Sequence, residues 1–340
     1  MKESLSLERK LVGAWYSNSA WLWPLVPISW LFGSLAHLRR AWLQYRFQGS
    51  PYTAPVVVVG NISVGGSGKT PLVIALVKAL AERGLKVGVV SRGYGGQAID
   101  YPLLVCPDTC AKECGDEPLL IARMTAQFDC PVVVDPDRNR AVECLLATYR
   151  VDAVLTDDGL QHYRLHRDIE IAVVDAARGM GNQRLLPAGP LRESMQRLHE
   201  VDFVVANGGT AVTTADAQIQ LLPQRFRHLA SGREVVPERW AEGSAVNAVA
   251  AIGNPQRFAA TLESLGLSVK LHAKDDHRSL RLSDVTFDDN KPVIITAKDA
   301  VKLIDVVTDN LWVLDVETTL PSSFVDQLLL RLKSLEGPQA

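Results

Sequence analysis

The segment Ser63-Val64-Gly65-Gly66-Ser67-Gly68-Lys69-Thr70 constrains this chain more than any other. It lies between the apolar run Val56–Val59 and a helical pattern from Pro71 to Arg83 that stops at Gly84. A strand that turns through glycines into a helix N-terminus presents unpaired N–H groups and the positive end of the helix dipole to an anion. Glycines let the backbone close around phosphate, Lys69 neutralises β- and γ-phosphate oxygens, and the Thr70 hydroxyl can hold Mg²⁺. The expected nucleotide cradle is therefore Ser63, Val64, Gly65, Gly66, Ser67, Gly68, Lys69 and Thr70, with Lys69 also serving catalysis. The loop departs from the common pattern at its first place, where Ser63 stands instead of glycine. Within the loop no second lysine precedes Lys69, the early place being held by Val64, which disfavours the partition-type dimeric ATPases. The nearest guanine-recognition candidate, Thr296-Ala297-Lys298-Asp299, has its lysine one place too late.

From Pro55 onward, short β-branched runs alternate with helical patterns, the sign of βαβ units and a parallel sheet. The expected strands are Val56–Val59, Val87–Ser91, Val132–Val134, Ala153–Thr156, Ile169–Val174 and Phe203–Ala206, apolar nearly throughout as doubly buried strands should be. After a polar stretch the pattern resumes with Ala248–Ile252, a helix near Arg257–Leu265, Val293–Thr296 and Leu311–Leu314. The expected fold class is α/β: a P-loop NTPase-type parallel sheet flanked by helices, with a second, smaller α/β unit. The expected division is an N-terminal segment over 1–48, a P-loop core over 49–225 and a C-terminal α/β domain over 226–340.

The N-terminal segment carries no formally charged residue from Leu11 to Ala36 and is rich in tryptophan: Trp15, Trp21, Trp23 and Trp30. Glu3 and Glu8 and the lack of a small-residue cleavage site argue against a cleaved signal peptide. Pro24, Pro27 and Gly33 interrupt a run that barely reaches the roughly 20 residues of a bilayer span. Tryptophan favours the headgroup boundary and Arg39, Arg40 and Arg46 suit anionic lipid, so a membrane-associated interfacial helix is expected, with an apolar helix folded onto the body and a true membrane span as the alternatives. With 36 basic and 38 acidic residues the net charge is -2, and no global field draws the chain to nucleic acid. Cys106, Cys110 and Cys114 recur every fourth residue, but no CxxC pair or histidine cluster accompanies them, and free cytosolic thiols are expected.

The strand Ala153–Thr156 runs into Asp157-Asp158-Gly159-Leu160-Gln161-His162. Apolar strand then acid sets a carboxylate at the sheet edge beside the Mg²⁺ held by Thr70. Further acids follow in Gly115-Asp116-Glu117-Pro118 and Asp135-Pro136-Asp137-Arg138. A single Asp in a turn is more often a cap, but recurrence after the carboxyl ends of strands, where open α/β sheets bind ligands, favours a site.

These segments resemble the tetraacyldisaccharide 4'-kinase family, the lipid A 4'-kinases of Gram-negative bacteria, over nearly the whole chain. The resemblance rests on the Trp-rich segment, Gly60-Asn61-Ile62-Ser63 running into the loop and Pro71, Ser91-Arg92-Gly93-Tyr94-Gly95, Gly115-Asp116-Glu117-Pro118, Asp157-Asp158-Gly159-Leu160-Gln161-His162, Pro187-Ala188-Gly189-Pro190-Leu191-Arg192-Glu193 and Asp276-His277. Ala297 departs from it, where the family usually has an acid before the lysine.

The resemblance implies an enzyme on the cytoplasmic face of the inner membrane that uses ATP and Mg²⁺ to phosphorylate the 4'-hydroxyl of a tetraacyldisaccharide 1-phosphate. It implies a catalytic dyad of Asp116 and His277, with Asp157, Asp158 and Glu193 joining Thr70 as candidate metal ligands. Arg192 is expected at the γ-phosphate or the acceptor's 1-phosphate, since a guanidinium fork suits phosphate oxygens. Arg92 and Arg138 are weaker candidates of the same kind, and His162 a candidate to orient the acids. The expected partners are the lipid precursor and the membrane surface, with no nucleic acid and the protein a monomer. The rival readings are a kinase of another small-molecule acceptor and a non-catalytic nucleotide switch at a membrane.

Overall fold

The computed structural model describes residues 10–17, 19–47, 51–209, 215–276, 278–303 and 308–335. A short 3₁₀ turn, Ala20–Leu25, leads into helix α1 (Val26–Arg46), with Pro27 in its first turn where no N–H is needed. Only Ser29 and Leu43 of α1 are buried, whereas Trp30, Leu31, Leu35, Leu38, Trp42 and Tyr45 face outward. Its small-residue face docks on the body: Ala188 N donates to Ser29 Oγ at 2.9 Å, and a Cβ on Gly33 would stand 2.5 Å from Leu185 Cδ1. Trp15 Nε1 donates to Pro187 O at 3.0 Å, and Arg184 lies over the Trp23 ring at 4.3 Å. Among the described residues no single helix is long and apolar enough to cross a membrane, though Lys10–Tyr16 and Ala20–Arg46 meet that length and composition as a bent pair.

Strand β1 (Val56–Gly60) feeds the glycine-rich loop, which opens helix α2 (Lys69–Ala81). There follow β2 (Val87–Ser91), β3 (Leu103–Val105), α3 (Asp116–Thr125), β4 (Val132–Val134), α4 (Arg138–Thr148), β5 (Ala153–Thr156), β6 (Ile169–Asp175) and β7 (Phe203–Asn207). The valines of β1 explain why it is central. Val57 and Val59 join the apolar cluster of α2 and α3, while Val56 and Val58 pack with Ala141, Val142 and Leu145 of α4. Alternate side chains thus enter opposite layers, which a strand buried on both faces requires.

The C-terminal half comprises β8 (Ala217–His228), β9 (Glu234–Val235), β10 (Ala245–Ala250), α5 (Pro255–Ser264), β11 (Ser268–Ala273), β12 (Val293–Thr296), β13 (Leu311–Thr319) and α6 (Ser322–Leu335). One sheet order joins both halves: β11-β10-β12-β13-β8-β7-β6-β1-β5-β2-β4-β3, with β9 alongside β8. β8 is the joint. Its first residues pair in parallel with β7, and its later ones run antiparallel to β13. The register shifts between Asp315 and Val316, opposite Pro223, which has no N–H to give the ladder. Position 225, the expected boundary, falls inside β8, and α6 returns to the first core, where Phe324, Leu328 and Leu332 are buried.

The chain leaves β1 for β2 on one side and β5 for β6 on the other, so the strand order reverses beside β1. The crevice at that reversal is where open α/β sheets bind ligands.

Candidate active site

The loop after β1 is held by the Pro187–Glu193 segment. Val64 N donates to Pro190 O at 2.8 Å, Arg192 N donates to Ile62 O at 2.7 Å, and Ser63 bridges Leu191. That pairing carries Arg192 to the site. Gly65 and Gly68 have φ of 107° and 92°, a region glycine enters without strain. Gly68 also permits a close approach, since a Cβ there would lie 2.0 Å from Asn207 Nδ2. Lys69 and Thr70 then begin α2, as the motif requires.

β5 delivers two carboxylates with different surroundings. Thr70 Oγ1 donates to Asp157 Oδ2 at 2.9 Å, while the buried Asp157 Oδ1 has no hydrogen-bond donor among the described residues. Asp158 sits at φ 52°, which aspartate tolerates. Its Oδ1 lies 3.5 Å from Lys69 Nζ and 3.6 Å from Arg192 Nη1. Buried Arg138 donates to the carbonyls of Asp157 and Asp158 at 3.3 and 2.7 Å. Burial pushes the Asp157 carboxyl well above its ordinary pKa, with Glu117 adding to the shift. Burial also opposes charge on Asp158, but Lys69, Arg192 and Arg138 outweigh it and hold that carboxyl below the ordinary range. Adjacent acids are thereby driven apart by their environments.

The second carboxylate cluster spans both halves of the molecule. Asp116 opens α3 and is buried, with Lys302 Nζ at 3.3 Å and Lys298 Nζ at 3.8 Å from its Oδ2. Lys298 Nζ also donates to Glu117 Oε1 at 2.9 Å and lies 3.7 Å from Asp276 Oδ1. Burial works against the Lys298 charge, but Glu117, Asp116 and Asp276 raise its pKa above the lysine value. Glu117 acts electrostatically on both Lys298 and Asp157, so the two carboxylate groups share one field. In the sequence, Lys298 stands out only as the lysine of Thr296-Ala297-Lys298-Asp299, and Lys302 carries no motif signal at all. His277 lies outside the described residues.

Glu193 keeps different company from the acids grouped with it above. Gln161 Nε2 donates to its Oε1 at 2.7 Å, the Tyr163 hydroxyl donates to its Oε2, and Arg197 Nε and Arg40 Nη1 stand at 3.5 and 4.0 Å. Both carboxylate oxygens thus hold protein donors, one neighbour being an arginine of α1. His162 Nε2 is buried without a hydrogen-bond partner among the described residues, so its ring orients neither acid there. Burial and Arg138 lower its pKa to about 4, leaving it neutral at pH 7. Arg92 is exposed.

The sequence profile of the tetraacyldisaccharide-1-P 4'-kinases matches residues 21–333. A tetraacyldisaccharide 4'-kinase of Ectopseudomonas mendocina is 45% identical over 329 residues, covering 95% of this chain and 97% of its own. One from Legionella pneumophila strain Corby is 46% identical over 310 residues, covering 91% and 93%. The crystal structure of Aquifex aeolicus LpxK in complex with ATP superposes with a TM-score of 0.74 at 27% identity, covering 92% of this chain and 99% of that one. By sequence over nearly its full length and by its P-loop NTPase-like α/β fold, the chain belongs to the tetraacyldisaccharide-1-P 4'-kinase family.

Proposed function

We propose that this protein transfers the γ-phosphate of ATP to the 4'-hydroxyl of a tetraacyldisaccharide 1-phosphate, a step of lipid A biosynthesis. The observation that carries the reading is the pairing of Thr70 with Asp157 at the glycine-rich loop, one Asp157 oxygen left unfilled, with Glu117, the neighbour of buried Asp116, acting on the same carboxyl. An orphaned buried carboxylate oxygen beside a threonine hydroxyl fits a hard divalent cation. Among the described residues no three His, Cys, Asp or Glu side chains gather to hold a metal by themselves. Phosphate and water oxygens are therefore needed to complete its shell, as is usual for Mg²⁺. When bound there, Mg²⁺ neutralises charge on the β- and γ-phosphates.

The remaining roles belong to the chain. Lys69 and Arg192, which already converge on Asp158, are placed to hold phosphoryl oxygens once nucleotide displaces those contacts. Asp116 accepts the proton of the sugar hydroxyl as its oxygen bonds to the γ-phosphorus and the bond to the ADP oxygen breaks. Lys298 and Lys302 keep Asp116 among positive charges and so favour its ionised form. His277, next to Asp276, is the expected partner of that base. Glu193 supports the site through Gln161 and Tyr163, and Arg40 links it to α1. The exposed aromatic face of α1 suits the headgroup region of the cytoplasmic leaflet, where the acyl chains stay while the sugar is phosphorylated. A single chain contains all these groups, in keeping with a monomer.

The test is incubation of the purified protein with γ-labelled MgATP and detergent-dispersed disaccharide 1-phosphate lipid, beside Lys69→Ala. Label entering the lipid only with the unsubstituted chain is the expected result. Nucleotide binding without transfer would move the assignment to another acceptor or to a switch.

A further inference from the structure

Asn207 ends β7 with no exposed surface, yet it belongs to none of the motifs in the sequence. Its Nδ2 donates to Ser67 O in the glycine-rich loop at 2.9 Å, and its Oδ1 accepts from Arg257 Nη2 at 2.8 Å. Arg257 lies in the first turn of α5, fixed by Asn254, whose Oδ1 accepts from Arg257 N at 3.2 Å. The chain of contacts therefore runs from the C-terminal half, through a buried amide, to a backbone carbonyl of the phosphate loop. Because a peptide unit is planar and trans, holding Ser67 O on Asn207 turns the Gly68 N–H the opposite way. One side chain thus sets the direction of one of the loop's own donors.

A second contact reaches the same loop from the same half. The loop between β10 and α5 brings Gly253 against Gly66, so closely that a Cβ on Gly253 would lie 2.5 Å from Gly66 N. Arg178 Nη1 donates to Gly253 O at 3.4 Å and stacks on Tyr16 of the N-terminal segment at 4.5 Å. Both approaches depend on missing side chains: Gly68 makes room for Asn207, and Gly253 for Gly66.

We propose that Asn207 and Arg257 are positioning residues of the phosphate-binding loop, which together with the Gly253 contact on Gly66 hold the loop's donors in the arrangement that binds nucleotide. This inference rests on the loop being the nucleotide site, and its test separates the two.

The measurement is the Kd of MgADP for the full chain by calorimetry, with no lipid present, followed by nucleotide KM and kcat. Arg257→Leu leaves the buried Asn207 oxygen without its charged donor, and a roughly ten- to hundredfold weaker Kd is expected. The loss falls on Kd and nucleotide KM more than on kcat, and Arg257→Lys recovers most of it. Gly253→Ala, which presses a methyl on Gly66 and stands 3.2 Å from Asp276 Oδ2 without touching Arg257, is expected to weaken Kd in the same way and serves if Arg257→Leu does not fold. A wild-type chain that binds no MgADP sinks the loop reading and this inference with it. A wild type that binds, with folded Arg257→Leu or Gly253→Ala binding equally well, overturns this inference alone.

Discussion

Asp157 and Asp158 are neighbours in sequence and opposites in environment, and Asp116 differs from both. Asp116 is the one of the three that lysines from another part of the chain surround, which suits a base that must be ionised when the hydroxyl arrives. Asp116→Asn keeps size and burial but cannot take a proton. Turnover is expected to fall by about 10² to 10⁴, the range of general-base catalysis, with MgADP affinity nearly unchanged. Full turnover in that variant would move the base elsewhere. His162 gives a pH prediction. Its folded pKa of about 4 lies below the unfolded 6.5, so the unfolded chain takes up the proton first. Its contribution to stability is complete above pH 6.5 and is lost as pH falls toward 4. In denaturant titrations across that window, His162→Gln should flatten the decline, and an unaltered slope would assign the decline to other groups. At this scale the sequence showed the loop and the acids because their chemistry needs fixed residue types at fixed spacing. Asn207, Arg257 and Lys302 were illegible because each acts through a partner that only the fold brings near.

Among the elements, strands buried on both faces were the most readable. β1, β2, β4 and β5 are apolar without alternation, and the layers above and below explain why. β8 was hidden for the opposite reason. Its residues serve two partners, pairing with β7 over three positions and then crossing to β13, so no single period describes it. β11 pairs with β10 alone at the sheet edge and has no fully buried residue, which reads as loop. Helix α1 presents the reverse case, an element whose outward face is its apolar one. Trp30 is 71% exposed and Tyr45 83% exposed, so substitutions there leave the packed core untouched. Replacing Trp30 and Leu38 together with serine is expected to lower binding to anionic vesicles by roughly tenfold or more, since a fully buried large apolar side chain contributes about 1.5–3 kcal/mol. The melting temperature should stay put. Unchanged vesicle binding, measured by co-sedimentation, would remove α1 from the membrane contact.

At the scale of the molecule, the two halves are joined covalently through β8 and electrostatically through Lys298. Three carboxylates, Asp116, Glu117 and Asp276, stand within 4 Å of that one ammonium, and two of them belong to the first half. A partly buried cation among acids costs desolvation whichever way it is paired, so its value lies in what happens when it is taken away. Lys298→Met removes the charge and keeps the stem. The acids are then left facing one another with only Lys302 near, and like charges in a shared site resist ionisation together. Turnover should fall, and the acid limb of the kcat/KM profile should move to higher pH, because the base must lose its proton without a cation's help. Glu117→Gln in the same background removes one of the competing charges and should return part of the loss, giving a coupling of about 0.5–3 kcal/mol in a double-mutant cycle. Strict additivity of the two substitutions, with no displacement of the acid limb, would mean that Lys298 joins the halves without bearing on the base. The cycle therefore decides whether the cross-sheet ion cluster is a fastening alone or part of the chemistry.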